Sequence, residues 1–161
     1  MLKISKQIGV LATTLALTAL ATAAALSAPS VIVVTLADGA DAGMATDMAM
    51  PADMAGPPMT ITASSDKIGP GEVTFSVANQ SSELIHEMIV ATVRDPSAPL
   101  SYIDADFQVD EDAIQVLGEV PDLEPGKSGE LTLALDPGTY VLFCNMPGHY
   151  KAGMWATITV E

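Results

Sequence analysis

Two short apolar stretches near the C-terminus, Tyr140–Cys144 (YVLFC) and Trp155–Val160 (WATITV), are joined by Asn145–Met154 (NMPGHYKAGM). This junction constrains the chain more than any other feature. It begins on the only cysteine, Cys144, carries one of two histidines, His149, five residues on, and ends on Met154 after five more. Five is an odd separation, so on a strand Cys144 and His149 would face opposite sides, and Pro147-Gly148 breaks a helix. The segment therefore has to curl back on itself between two strands. Such a loop wraps three side chains round one point when something occupies that point.

The rest of the chain reads as β-structure. Val31–Leu36 (VIVVTL) is a β-branched run, and Met59–Ser64 (MTITAS) and Glu72–Ala78 (EVTFSVA) alternate, the latter introduced by Gly69-Pro70-Gly71. Leu84–Val93 (LIHEMIVATV) is apolar enough for a strand buried on both faces, with a helix as the alternative reading. Residues 94–127 hold Pro96, Pro99, Pro121, Pro125 and many acids, and read as a long surface excursion with one short helix near Asp110–Leu117. Leu131–Leu135 and a turn at Asp136-Pro137-Gly138 lead back to the first apolar stretch. Seven or eight short strands, no strand–helix alternation and no internal repeat predict an all-β Greek-key sandwich or barrel.

The side chains on the loop select a ligand chemistry. A thiolate, two imidazoles and a thioether suit copper, with His₂Cys in a trigonal plane and Met as a weak axial ligand, whereas zinc does not ordinarily take a thioether. The second imidazole has one source, His86, at the start of the LIHEMIV segment. A lone histidine in an apolar strand is ordinarily a packed core or rim residue; the distant loop is what recruits His86 as a ligand. Anchoring one ligand on a distant strand partly predefines the site, which limits ligand movement when copper changes oxidation state.

Tyr140–Trp155 (YVLFCNMPGHYKAGMW) resembles the copper loop of the cupredoxins, the plastocyanin and azurin family, with the same C-x4-H-x4-M spacing. Upstream, Gly71–Asn79 (GEVTFSVAN) followed by His86 is similar to the family segment that delivers the first histidine. The likeness covers roughly Met59 to Glu161. It implies a Greek-key β-sandwich, one type 1 copper and one-electron transfer between larger redox proteins, with His86 and His149 as imidazole ligands, Cys144 as thiolate and Met154 as axial thioether. His149 would be the exposed electron port. Glu87 follows His86 where several cupredoxins have Asn, Ser or Asp, so their outer hydrogen-bond pattern does not transfer.

The N-terminus reads as an export signal: Lys3 and Lys6, then the apolar, alanine-rich Ile8–Leu26, with small residues at Ala21, Ala23 and Ala25 offering cleavage sites. Residues 1–28 are assigned to it, with an uncleaved membrane anchor as the alternative. The expected location is the periplasm, and the mature protein is expected not to be membrane-embedded. What remains, about 135 residues, suits one domain: a first strand and Met-rich loop (29–58) and the copper domain (59–161). It carries four basic residues, Lys67, Arg94, Lys127 and Lys151, against all twenty acids, a net charge of −16. That charge repels nucleic acid and anionic lipid and steers towards redox partners with a basic docking surface, or serves solubility alone. A monomer is expected. A lone cysteine forms no internal disulfide, and an oxidising compartment favours one that is buried or metal-bound.

Met44, Met48, Met50, Met54 and Met59 crowd into sixteen residues. They make a loose flap over apolar surface or, since thioethers bind Cu(I), a secondary copper site or docking patch. The sequence thus predicts a non-enzymatic electron carrier, with a periplasmic copper-handling protein as the alternative. A Cys144–His149 nucleophile pair lacks a third orienting group and an oxyanion element. A zinc hydrolase using Cys144 and the two histidines is the third reading. Trp155 reads as core packing and Tyr150 as a rim residue beside His149.

Overall fold

The computed structural model describes residues 29–39 and 58–161. The export segment and Met44, Met48, Met50 and Met54 lie outside these residues. Eight strands of five residues or more carry the fold: β1 (Ser30–Asp38), β2 (Met59–Ala63), β4 (Gly71–Asn79), β5 (His86–Val93), β8 (Gln115–Leu123), β9 (Ser128–Leu135), β10 (Gly138–Phe143) and β11 (Trp155–Val160). Three two-residue strands complete the series: β3 (Lys67–Ile68), β6 (Tyr102–Ile103) and β7 (Gln108–Val109). One sheet runs β2-β1-β4-β9 and the other β3-β11-β10-β5-β8. Pairing is antiparallel except β1 with β4 and β3 with β11.

The alternating strands behave as half-buried elements. Val73, Phe75 and Val77 of β4 are fully buried, and their register partners across β1 and β9 continue the same inward face. They meet Met88, Val90, Tyr140, Leu142 and Ile158 of the second sheet in the main core. Strands β5 and β10 are buried on both sides, as the unbroken apolar run in β5 predicts. Their other faces, Ile89, Ala91, Val141 and Phe143, form a second cluster with Val109, covered by Leu100, Tyr102, Tyr150 and Trp155. The excursion after β5 is the lid of that second cluster.

The expected helix at Asp110–Leu117 is corrected by the structure. Only Glu111–Ala113 makes a single 3-10 turn, and the chain then extends as β8 along the open edge of β5. Unsatisfied hydrogen-bonding groups on that edge, together with Ile114 and Val116 packing on the second cluster, override the local helical tendency of DEDAIQVL. Pro121 is tolerated because β8 is an edge strand whose register slips opposite Glu87, between the pairs His86–Leu123 and Met88–Val120. Strand β8 also closes the side of the sandwich against β9: a Cβ on Gly129 would lie 2.5 Å from Val120 Cγ1, so only glycine permits this approach.

Candidate metal centre

His86 is the first residue of β5, Cys144 directly follows β10, its antiparallel neighbour, and His149 and Met154 lie on the loop into β11. Asn79, buried at the end of β4, sets the entry of His86. Its amide donates to Leu84 O (2.8 Å) and Leu123 O (2.7 Å), while its Oδ1 accepts from Ser81 N (2.9 Å). The turn between β4 and β5 is thereby tied to β8 before the chain reaches His86.

The Cys144–Met154 loop closes on itself as the odd spacing requires. His149 N donates to Met146 O (3.0 Å) across Pro147-Gly148, with Gly148 at φ +85°, the arrangement of a type II turn. Met154 N donates to His149 O and Cys144 N to Met154 O, both 3.1 Å, so the three residues share main-chain bonds. His86, Cys144 and Met154 are fully buried, and Met154 and Cys144 pack in the same core cluster. His149 is partly exposed.

Donor atoms of His86, Cys144 and His149 all lie within 4.8 Å of one another. His86 Nδ1 is 3.2 Å from His149 Nδ1, and Cys144 Sγ is 3.3 Å from the same nitrogen. Burial pushes the Cys144 thiol up to about 11 and depresses His149 to about 4, with the neighbouring His86 adding to the latter. The imidazole of His149 is therefore neutral at neutral pH. His86 and His149 would offer a soft metal ion two neutral imidazoles, and Cys144 would give up its thiol proton on binding one. The donor set fits copper.

Asp38 and Asn145 were not foreseen from the sequence; Glu87 was marked only as a departure from the family pattern, and the structure supplies the bond it makes. Asp38, the last residue of β1, places Oδ1 3.2 Å from His86 Nε2, the nitrogen facing away from Cys144 and His149. Glu87 Oε1 accepts from Asn145 N (3.0 Å), cross-linking the residue after His86 to the residue after Cys144. Asn145 itself is clamped to the excursion: Oδ1 accepts from Val109 N (2.6 Å) and Nδ2 donates to Glu111 Oε1 (2.7 Å). Aspartate and asparagine are too common for sequence to single these two out; a strand end next to a ligand is the nearest signal.

Of the methionine cluster, only Met59 is described. It opens β2, pairs with Asp38, and its N donates to Ala152 O (3.4 Å) on the ligand loop. Trp155 packs on the second cluster as expected of a packing residue. Tyr150 does so too, its hydroxyl accepting from Leu100 N (3.0 Å), which makes it part of the excursion's anchorage.

The chain is similar to known copper proteins in sequence and in fold. The family model described as "Copper binding proteins, plastocyanin/azurin family" matches residues 48–161. The copper-resistant cuproprotein CopI of Pseudomonas aeruginosa is 52% identical over 40 residues, 24% of this chain and 22% of that protein. Auracyanin-B of Chloroflexus aurantiacus is 43% identical over 58 residues, 35% of this chain and 25% of that protein. Each alignment thus spans about a quarter of the relative's length or less. A solved structure of auracyanin B superposes with a TM-score of 0.52 at 25% identity, covering 82% of this chain and 88% of that one. The chain accordingly belongs to the plastocyanin/azurin family of copper-binding proteins, the cupredoxins, and its cofactor is copper in a single type 1 centre.

Proposed function

We propose that this protein is an exported one-electron carrier, not an enzyme, whose copper is held by His86 Nδ1, His149 Nδ1, Cys144 Sγ and the Met154 thioether. The observation that carries this reading is the convergence of two Nδ1 atoms and one sulfur, brought together by the start of β5, the end of β10 and the loop into β11. Copper supplies the one-electron couple. Strands β5 and β10 fix His86 and Cys144, and the hydrogen-bonded loop holds His149 and Met154, so the ligands stay in place as the charge changes. His86 is sealed in the core while His149 reaches the surface, which makes His149 the electron port.

The surroundings of His149 support a protein partner. Exposed Phe107 accepts a bond from Gly148 N through its carbonyl (2.7 Å), and exposed Ile85 adjoins His86. Asp104, Asp106, Glu111 and Asp112 flank this apolar rim along the excursion. The partner would be a redox protein with a basic margin, met by a monomeric carrier in the periplasm. The decisive experiment is the visible spectrum. Copper-loaded protein should be intensely coloured and Cys144→Ala colourless, and a colourless copper-loaded wild type would refute a type 1 site.

A copper-handling role is the second reading, favoured by the CopI likeness and by Met59 lying against the ligand loop. It predicts two or more Cu(I) per chain, with the extra copper lost when Met44, Met48, Met50 and Met54 are changed to Leu. One copper per chain, unaffected by those changes, leaves the carrier alone.

A further inference from the structure

The structure assigns a function to Asp38: we infer that its carboxylate is a positioning and tuning residue for the copper, acting through His86 to favour the oxidised metal. The inference rests on His86 being a ligand, as proposed above.

Three observations meet at this contact. His86 is fully buried, so its second ring nitrogen finds no water, and Asp38 Oδ1 at 3.2 Å is the partner it has. Asp38 is well placed to stay put, because it ends β1 with Met59 as its register partner, and Gly39 N donates to Pro58 O (3.0 Å) just beyond. The ring's other nitrogen, Nδ1, faces His149 Nδ1 at 3.2 Å and shares the donor cluster with Cys144.

The chemistry follows from the two nitrogens being inequivalent. A neutral imidazole carries one proton, and a carboxylate can only accept a hydrogen bond, so Asp38 places that proton on Nε2. Nδ1 is then the bare lone pair, aimed at the cluster before any metal arrives. The negative charge behind the ring also makes it a stronger electron donor, as carboxylates do behind metal-bound histidines. A stronger donor stabilises the doubly charged ion more than the singly charged one, so the carboxylate lowers the reduction potential.

Two variants separate hydrogen bond from charge. Asp38→Asn keeps an oxygen able to accept from Nε2 but removes the charge; Asp38→Ala removes both. Loss of an outer partner of this kind costs about 10- to 100-fold in metal affinity. Cu(II) affinity should fall by that factor in Asp38→Ala and by less in Asp38→Asn, with Cu(I) affinity nearly unchanged. Both reduction potentials should rise, each tenfold loss of Cu(II) affinity alone corresponding to about 59 mV. Nitrogen NMR of the metal-free wild type should find His86 protonated on Nε2, a measurement that needs neither copper nor a variant.

The inference is overturned if His86 of the metal-free protein carries its proton on Nδ1, or if both variants keep the wild-type potential and Cu(II) affinity. A colourless copper-loaded wild type would instead sink the type 1 assignment, while the tautomer measurement would still judge the Asp38–His86 contact.

Discussion

The two sheets of this sandwich use their outer faces in opposite ways. Among the described residues, the β2-β1-β4-β9 sheet is covered on one side only; its outer face shows Val31 and Val33 at 62% and 53% exposure and a Thr74–Thr132 hydroxyl pair at 2.9 Å. The central strands of the other sheet, β5 and β10, are covered on both, and these are the strands that present His86 and Cys144. Packing on both faces removes the freedom of a strand to bow or shift, since close-packed side chains on either side resist displacement. The metal centre thus stands on the stiffer of two sheets, and the acidic excursion is the part that makes it stiff.

The largest effect should come from emptying the second cluster. Phe143→Ala should cost about 3–5 kcal/mol in chemical denaturation of the metal-free protein, the range for a buried aromatic cut to alanine. A loss no larger than that of an exposed site would show that the excursion does not cover the sheet. Next in size is the clamp itself. Asn145→Ala strands the Val109 N–H and frees Glu111, at about 1–3 kcal/mol for a buried donor left unpaired. Amide exchange should quicken around Val109 while staying slow in β4, and uniform quickening would contradict a local clamp.

Glu87 makes the stability of the doubly covered sheet depend on pH. Burial pushes its carboxyl up from 4.5 to about 7; the hydrogen bond from Asn145 N opposes this, and Glu119, Asp122 and Glu111 add to it. Between these two values the folded metal-free protein keeps a proton that the unfolded chain releases, so this group's contribution to stability falls as pH rises through that window. His149, depressed from 6.5 to about 4, works the other way, with stability lost as pH falls through its window. Denaturation midpoints of Glu87→Gln should therefore lose the decline towards neutral pH and keep the acid-side loss. A variant with the wild-type profile would show that Glu87 does not hold this proton. The smallest effect is expected on the one-sided sheet: Val33→Thr should stay within about 0.5 kcal/mol by the same denaturation assay.

The difference between local and distant information accounts for what could be read from the chain. The copper loop was legible because Cys144, His149 and Met154 lie within one turn-rich segment and their spacing excludes both regular structures. The half-buried strands were legible through alternation, and β5 through its unbroken apolar run. Strand β8 was not, because DEDAIQVL favours a helix locally and becomes extended only where the edge of β5 supplies hydrogen-bonding partners. Asp38 and Asn145 were not legible as parts of the centre either, and Glu87 only as a departure from the family pattern, since their roles come from residues as far apart as Asp38 and His86 or Asn145 and Val109.

An all-β chain and the chemistry of its metal are thus written in the residue order, because periodicity and ligand type can be read without knowing how distant strands pack. The surroundings of the candidate ligands came from packing. It folded the excursion over the second sheet, set Glu87 against the Cys144 loop and brought Asp38 behind His86, through contacts that exist only once distant strands have packed.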